Sequence, residues 1–120
     1  MNKIEKFEDL YVWQSGLSLS IEIYKSFANC KDPNLKNQVL RAAVSIPSNI
    51  AEGFERGYDD EFILFLKIAK GSTAELRTQI YIASAVNFLD SETSEYLINK
   101  TCHISSMLQK LIRTREEHFK

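Results

Sequence analysis

Arg41, Ser45, Asn49, Glu52 and Arg56 follow one another at steps of three and four residues. At about 100° per residue they share an arc of roughly 80° on a helical wheel. An ordinary surface face scatters Lys and Glu, whereas this ribbon mixes two guanidiniums, a hydroxyl, an amide and one carboxylate. Such groups satisfy one another when part-buried, and Arg can hold a carboxylate through two parallel bonds. Ser72 and Glu75 are spaced to meet the ribbon from a neighbouring helix. Two chemistries are open to this set. Glu52 and Glu75 could act as general acid and base if close and desolvated. The plainer reading is a structural network with the carboxylates tied to Arg41 or Arg56, and it is favoured because bundles without a cleft rarely catalyse.

Other chemistry finds little support in the sequence. No Glu is followed three residues later by His, so the di-iron bundle pattern fails. His103 and His118 have no His or Cys partner at metal-ligand spacing. Phosphate-binding glycine loops and the GxSxG elbow are absent. Ser45, Ser48 and Ser72 have no His near them in sequence to form a nucleophile–base pair. Cys30 and Cys102 lie outside any CxxC and read as small, half-buried apolar residues. A non-enzymatic protein with no metal and no cofactor is expected.

Composition narrows the class. The chain has 120 residues, 44% of them hydrophobic, enough for one domain with a real core. Fifteen Lys and Arg stand against 16 Asp and Glu, a net charge of -1, so the basic footprint of a nucleic-acid binder is missing overall. No apolar run reaches the length of a membrane span, and the charged start carries no signal segment. A cytoplasmic protein without membrane contact is expected.

The elements that must position the ribbon follow from periodicity. Four Gly and two Pro are few breakers, so long helices are expected. The pattern predicts an all-α, up-down-up-down four-helix bundle with helices over about 10–29, 33–56, 60–88 and 91–116. Asp9 is the expected N-cap of the first helix, whose apolar stripe is Leu10, Trp13, Leu17, Ile21, Tyr24 and Ala28, broadened by Leu19, Ile23 and Phe27. Asp32 followed by Pro33 starts the second, Gly57 ends it, and Pro47 should kink it. Its core face is Val39, Ala43, Ile46, Ile50 and Gly53. The third carries Phe62, Phe65, Leu66, Ala69, Ser72, Leu76, Ile80 and Ala83, with 71–74 as a small-residue patch for close helix approach. The fourth, opened by a capping cluster at 90–95, carries Leu97, Thr101, Ile104, Leu108, Leu111 and Arg115, and its charged tail from 113 should fray.

Three motifs carry a family resemblance. They are Phe7-x-x-Leu10-x-x-Trp13, then Arg41-Ala-Ala-x-Ser45-Ile46-x-x-Asn49-Ile50-Ala51-Glu52-Gly53, then Phe62-x-x-Phe65-Leu66-x-x-Ala69-x-Gly71-Ser72-x-x-Glu75-Leu76. Together they resemble the bacterial four-helix-bundle proteins named after the intervening sequences of 23S rRNA genes, over roughly residues 7–112. The resemblance implies a left-handed bundle that assembles into a homopentameric ring. It also implies a link to an accessory protein of diversity-generating retroelements, which binds nucleic acid and a reverse transcriptase. Those nucleic-acid-binding relatives are strongly basic and this chain is not. If RNA or DNA is bound, the candidate contacts are Lys36, Arg41, Arg56, Lys67, Lys70 and Arg77. The alternative is a protein-interaction adaptor that offers a groove to a partner helix.

Overall fold

The computed structural model describes residues 4–119. A 3-10 turn, Phe7–Asp9, precedes four helices: α1 Tyr11–Ser26, α2 Pro33–Glu55, α3 Asp59–Ala85 and α4 Ser91–Phe119. α1 packs on α2, α2 on α3, α3 on α4, and α4 closes against α1. This is a four-helix bundle, 46 Å long and about 20 Å across (22 × 19 Å). Among the described residues there is no strand, and no helix is long and apolar enough to cross a membrane.

The helix ends follow local chemistry. Asp32 caps α2, its carboxylate accepting from the backbone N–H groups of Asn34 and Leu35 at 3.1 and 3.2 Å, with Pro33 in the first helical position. α2 runs unbroken through Pro47 to Glu55, and Gly57 takes the left-handed conformation at φ +82°. α3 ends three residues earlier than its apolar pattern suggests. Asn87 turns left-handed at φ +66°, and the Phe88 N–H bonds back to the Ala83 carbonyl at 2.8 Å. That closure satisfies the last carbonyls and stops the helix at Ala85. The charged tail extends α4 to Phe119 rather than fraying at 113, helped by the ion pairs Arg115–Asp59 and Lys67–Glu116, which tie it to α3.

The core is built from Val39, Ile46 and Ile50 of α2, Leu66, Leu76 and Ile80 of α3, and Leu97, Ile104 and Leu108 of α4. α1 differs from the sequence expectation at both its start and its face. Leu10, not Asp9, is its N-cap residue, because the 3-10 turn occupies 7–9. Of the expected stripe, Leu10 and Trp13 pack on the core, whereas Leu17, Ile21, Tyr24 and Ala28 point to solvent; the broadening residues Leu19, Ile23 and Phe27 enter the core, joined by Val12. Two small residues explain the choice. A Cβ on Gly16 would lie 3.2 Å from the Ile46 side chain, and the Ser20 hydroxyl reaches the Ala43 carbonyl at 2.8 Å. Only the face carrying Gly16 and Ser20 lets α1 approach α2 this closely.

Close approach of α2 and α3 sits only partly where expected, at Ser72 against Ser45. Gly71 and Ala74 are exposed, and a Cβ on Gly71 would meet nothing within 4 Å. The tight contact is at Gly53, beneath Phe65. Within 71–74 only Thr73 is fully buried, its hydroxyl turned back onto the Ala69 carbonyl. Cys30 is half-buried, whereas Cys102 is exposed because the core-facing positions of that turn are taken by Thr101 and Ile104. Both thiols are free.

Candidate functional site

The ribbon lies along the outer seam of α2 and α3, and the structure divides it into three parts. The middle part is a hydroxyl–amide cluster. Ser45 Oγ and Ser72 Oγ are 2.8 Å apart across the seam. Asn49 Nδ2 donates to Ser45 Oγ and to the Ser45 carbonyl, both at 2.8 Å. With Asn49 donating, Ser45 is free to donate its own proton to Ser72. All three residues are part-buried.

The second part is ionic and lies toward the α2–α3 loop. Arg56 reaches Glu52 at 2.9 Å and Glu61 at 3.2 Å, and its guanidinium lies 5.0 Å from the centre of the Phe65 ring. The Glu52 carboxylate, first, and then Glu61 raise the pKa of Arg56 further above its ordinary value. The side chains of Arg56 and Glu52 remain 47% and 53% exposed, so this pair is solvated and weak. Glu61 was not part of the sequence-derived set. Its position at the start of α3 on the Arg56 side was the available signal.

The third part is a polar cleft of about 570 Å³ lined by Asn34, Asn37, Gln38, Arg41, Ala42, Ser45 and Glu75. Arg41 and Glu75 share this cleft, yet among the described residues Arg41 makes no ion pair. The expectation that both carboxylates would be tied to arginine therefore holds for Glu52 and not for Glu75. Both Glu52 and Glu75 are exposed, which removes the desolvation that a general acid–base pair would need. Among the described residues no group of His, Cys, Asp or Glu is placed to hold a metal ion.

The six candidate nucleic-acid contacts do not come together as one free patch. Lys36 donates to the Ala28 carbonyl at 3.1 Å. Lys67 pairs with Glu116 at 3.4 Å, and Lys70 bonds Gln109 on α4. Arg77 Nε donates to Thr101 Oγ1 at 3.1 Å, and Arg56 is held by two carboxylates. Arg41 is left without a bonded partner among the described residues. Lys67, Lys70 and Arg77 face α4, whereas Arg41 and Arg56 lie on α2, so the set is split between faces.

Sequence reasoning missed two features. One is the Arg115–Asp59 pair at 3.2 Å, with Arg115 also stacked 5.2 Å from the centre of the Phe62 ring. The other is the seam between α1 and α4, where Tyr11, Lys100, His103 and Lys110 line open grooves. The signal for the second was the α4 row 100, 103, 107, 110 and 114, at helical spacing and outside the core stripe.

Comparison with known proteins bears on the fold and the family. A solved structure described as a protein with unknown function from the S23 ribosomal protein family of Bacteroides thetaiotaomicron is similar, with 26% identity and a TM-score of 0.79. The similarity covers 84% of this chain and 97% of that one. No curated protein matches the chain. The sequence profile described as 23S rRNA-intervening sequence protein matches residues 8–110, which contain the α2–α3 seam and all of its polar residues. The chain therefore belongs to the family of 23S rRNA-intervening sequence proteins.

Proposed function

We propose that this chain is a non-enzymatic, cytoplasmic binding module that assembles with copies of itself and recruits a protein partner. The observation that carries the reading is the outer stripe of α1. Leu17, Ile21 and Tyr24 are 39%, 47% and 51% exposed on one helical face, and Val44, which follows the Ala43 whose carbonyl Ser20 bonds, is exposed on α2. A helix that is apolar on both faces is normally covered on both. A second copy of the chain covers this one. A head-to-tail contact of that kind closes into a ring when its rotation permits, and the pentamer implied by the family resemblance is the expected form. The dispersed and mostly engaged cations favour a protein partner over RNA or DNA.

The test is mass in solution. Light scattering on the 13.8 kDa chain should give a single species of about five copies. The double variant Leu17→Glu/Ile21→Glu should give a monomer of unchanged helix content. A wild-type protein that stays monomeric at tens of micromolar would remove the assembly reading. Fluorescence anisotropy with structured RNA and duplex DNA at about 50 and 200 mM salt decides the partner class. Salt-sensitive, tight binding there would replace the protein-partner reading with the nucleic-acid one.

A further inference from the structure

The seam between α1 and α4 is open along much of its length. Its upper part, about 330 Å³, is lined by Tyr11, Gln14, Ser15, Ser18, Glu22, Lys100 and His103, among others. Its lower part, about 480 Å³, has an apolar floor of Leu10, Val12, Met107 and Leu111. Tyr11 and His103 line both parts, so the two form one continuous groove. On α4 the groove runs from Lys100 to Thr114, about 21 Å at 1.5 Å per residue. That length matches a partner helix of about four turns.

We propose that this groove docks an amphipathic helix of a partner protein, apolar along one stripe and acidic along its flank. The proposal rests on the protein-partner reading above and gives that partner its chemistry. The apolar floor accepts a stripe of large side chains, and Met107 adapts to their shape. The rim sets the charge. Lys100 and Lys110, with the imidazole of His103 between them as a polar group, stand along one wall, so two cations face Glu22 as the one carboxylate among the lining residues. In a chain of net charge -1, a groove with this excess of cations selects a partner carrying carboxylates. A nucleic-acid strand suits it less, because the floor offers aliphatic side chains where phosphates would need donors.

The experiment uses two designed fluorescein-labelled peptides of 16 residues. Both carry leucines at i, i+3, i+4 and i+7, with flanks of Glu in one and Lys in the other. Anisotropy in about 50 mM salt should show the Glu peptide binding at least about tenfold more tightly. Lys100→Glu/Lys110→Glu should reverse that preference, a result that a misfolded variant could not give. Met107 is one of two methionines in the chain, so its methyl resonance is easily resolved and should shift on binding. Equal affinity for the two peptides, no binding of either, binding without a Met107 shift, or a single-stranded oligonucleotide displacing the Glu peptide would each overturn the proposal. The same titration on Leu17→Glu/Ile21→Glu separates the readings. If that monomer still binds the Glu peptide, the groove stands whatever the fate of the assembly.

Discussion

Gly53 of α2 lies so close under Phe65 of α3 that a Cβ built on it would be 2.5 Å from the Phe65 Cβ. A Cβ cannot swing away as the end of a flexible side chain can, so any larger residue must push the helices apart. Gly53→Ala gains about 1 kcal/mol of helix propensity and loses about 1–3 kcal/mol to overpacking. Net destabilisation is expected in urea unfolding. Gly71→Ala is the control, because nothing lies within 4 Å of the new methyl, and it should stabilise by about 0.5–1 kcal/mol. A stabilised Gly53→Ala would show that the α2–α3 contact is looser than described.

The hydroxyl–amide cluster and the ionic group should respond differently to truncation. Asn49→Leu removes the donor to Ser45 but leaves Ser45 and Ser72 paired, so a loss of about 1 kcal/mol is expected. Glu52→Ala leaves Arg56 with Glu61 and an exposed site, so its effect should be smaller than that of Asn49→Leu. Thermal unfolding of both variants checks the ordering. A larger loss for Glu52→Ala would mean that the ion pair is shielded by an assembly partner.

Gln79 offers the opposite case. It is buried on α3, and among the described residues its Oε1 has no hydrogen-bond partner. An unpaired buried acceptor loses its hydration without compensation. Gln79→Met keeps the side-chain length and removes the acceptor, and it should raise stability by about 1 kcal/mol. A fall in the urea midpoint would indicate that the carbonyl is in fact satisfied.

Asp90 makes acid stability partly predictable. The Thr93 backbone N–H at 2.7 Å, and then the Thr93 hydroxyl at 3.1 Å, hold its carboxyl below the usual carboxylate range. A depressed native pKa stabilises the fold above the unfolded value, near 4, and that contribution is lost as pH falls through the native value. Asp90→Asn keeps a capping oxygen without a titrating group. Its stability should therefore fall less as pH drops below about 4 than that of the parent protein. Parallel curves would assign the acid sensitivity to other carboxylates.

Much of α2 was legible because its signals are local and agree with one another. Asp32-Pro33 marks the start, Gly57 the end, and one apolar stripe lies between. α1 was not, because it is apolar on two faces and periodicity cannot choose between them. The choice rests on Gly16 and Ser20, whose small size matters only once Ile46 and Ala43 of α2 are opposite. Within the small patch at 71–74, Ser72 does meet Ser45 across the seam, whereas Gly71 and Ala74 misled for the converse reason, since small residues mark close approach only on a face that is covered. In the ribbon, the Ser45–Asn49–Ser72 bonds follow from spacing and reach. That Arg41 and Glu75 share a cleft without an ion pair, and that Arg56 recruits Glu61, depend on side-chain paths that no wheel displays.

The open α1–α4 groove also has a consequence in time. α1 is the shortest helix, and its fully enclosed large side chains are few, chiefly Leu19 and Ile23, with Phe27 just beyond its end. α2, α3 and α4 share a denser core around Ile46, Leu76 and Leu108. α1 can therefore detach as a unit at lower free energy than global unfolding. In deuterated water its amides should exchange first, leaving a three-helix remainder still protected. The bundle is in this sense a clasp, with its rearmost three helices as the frame and its first helix as the tongue that opens.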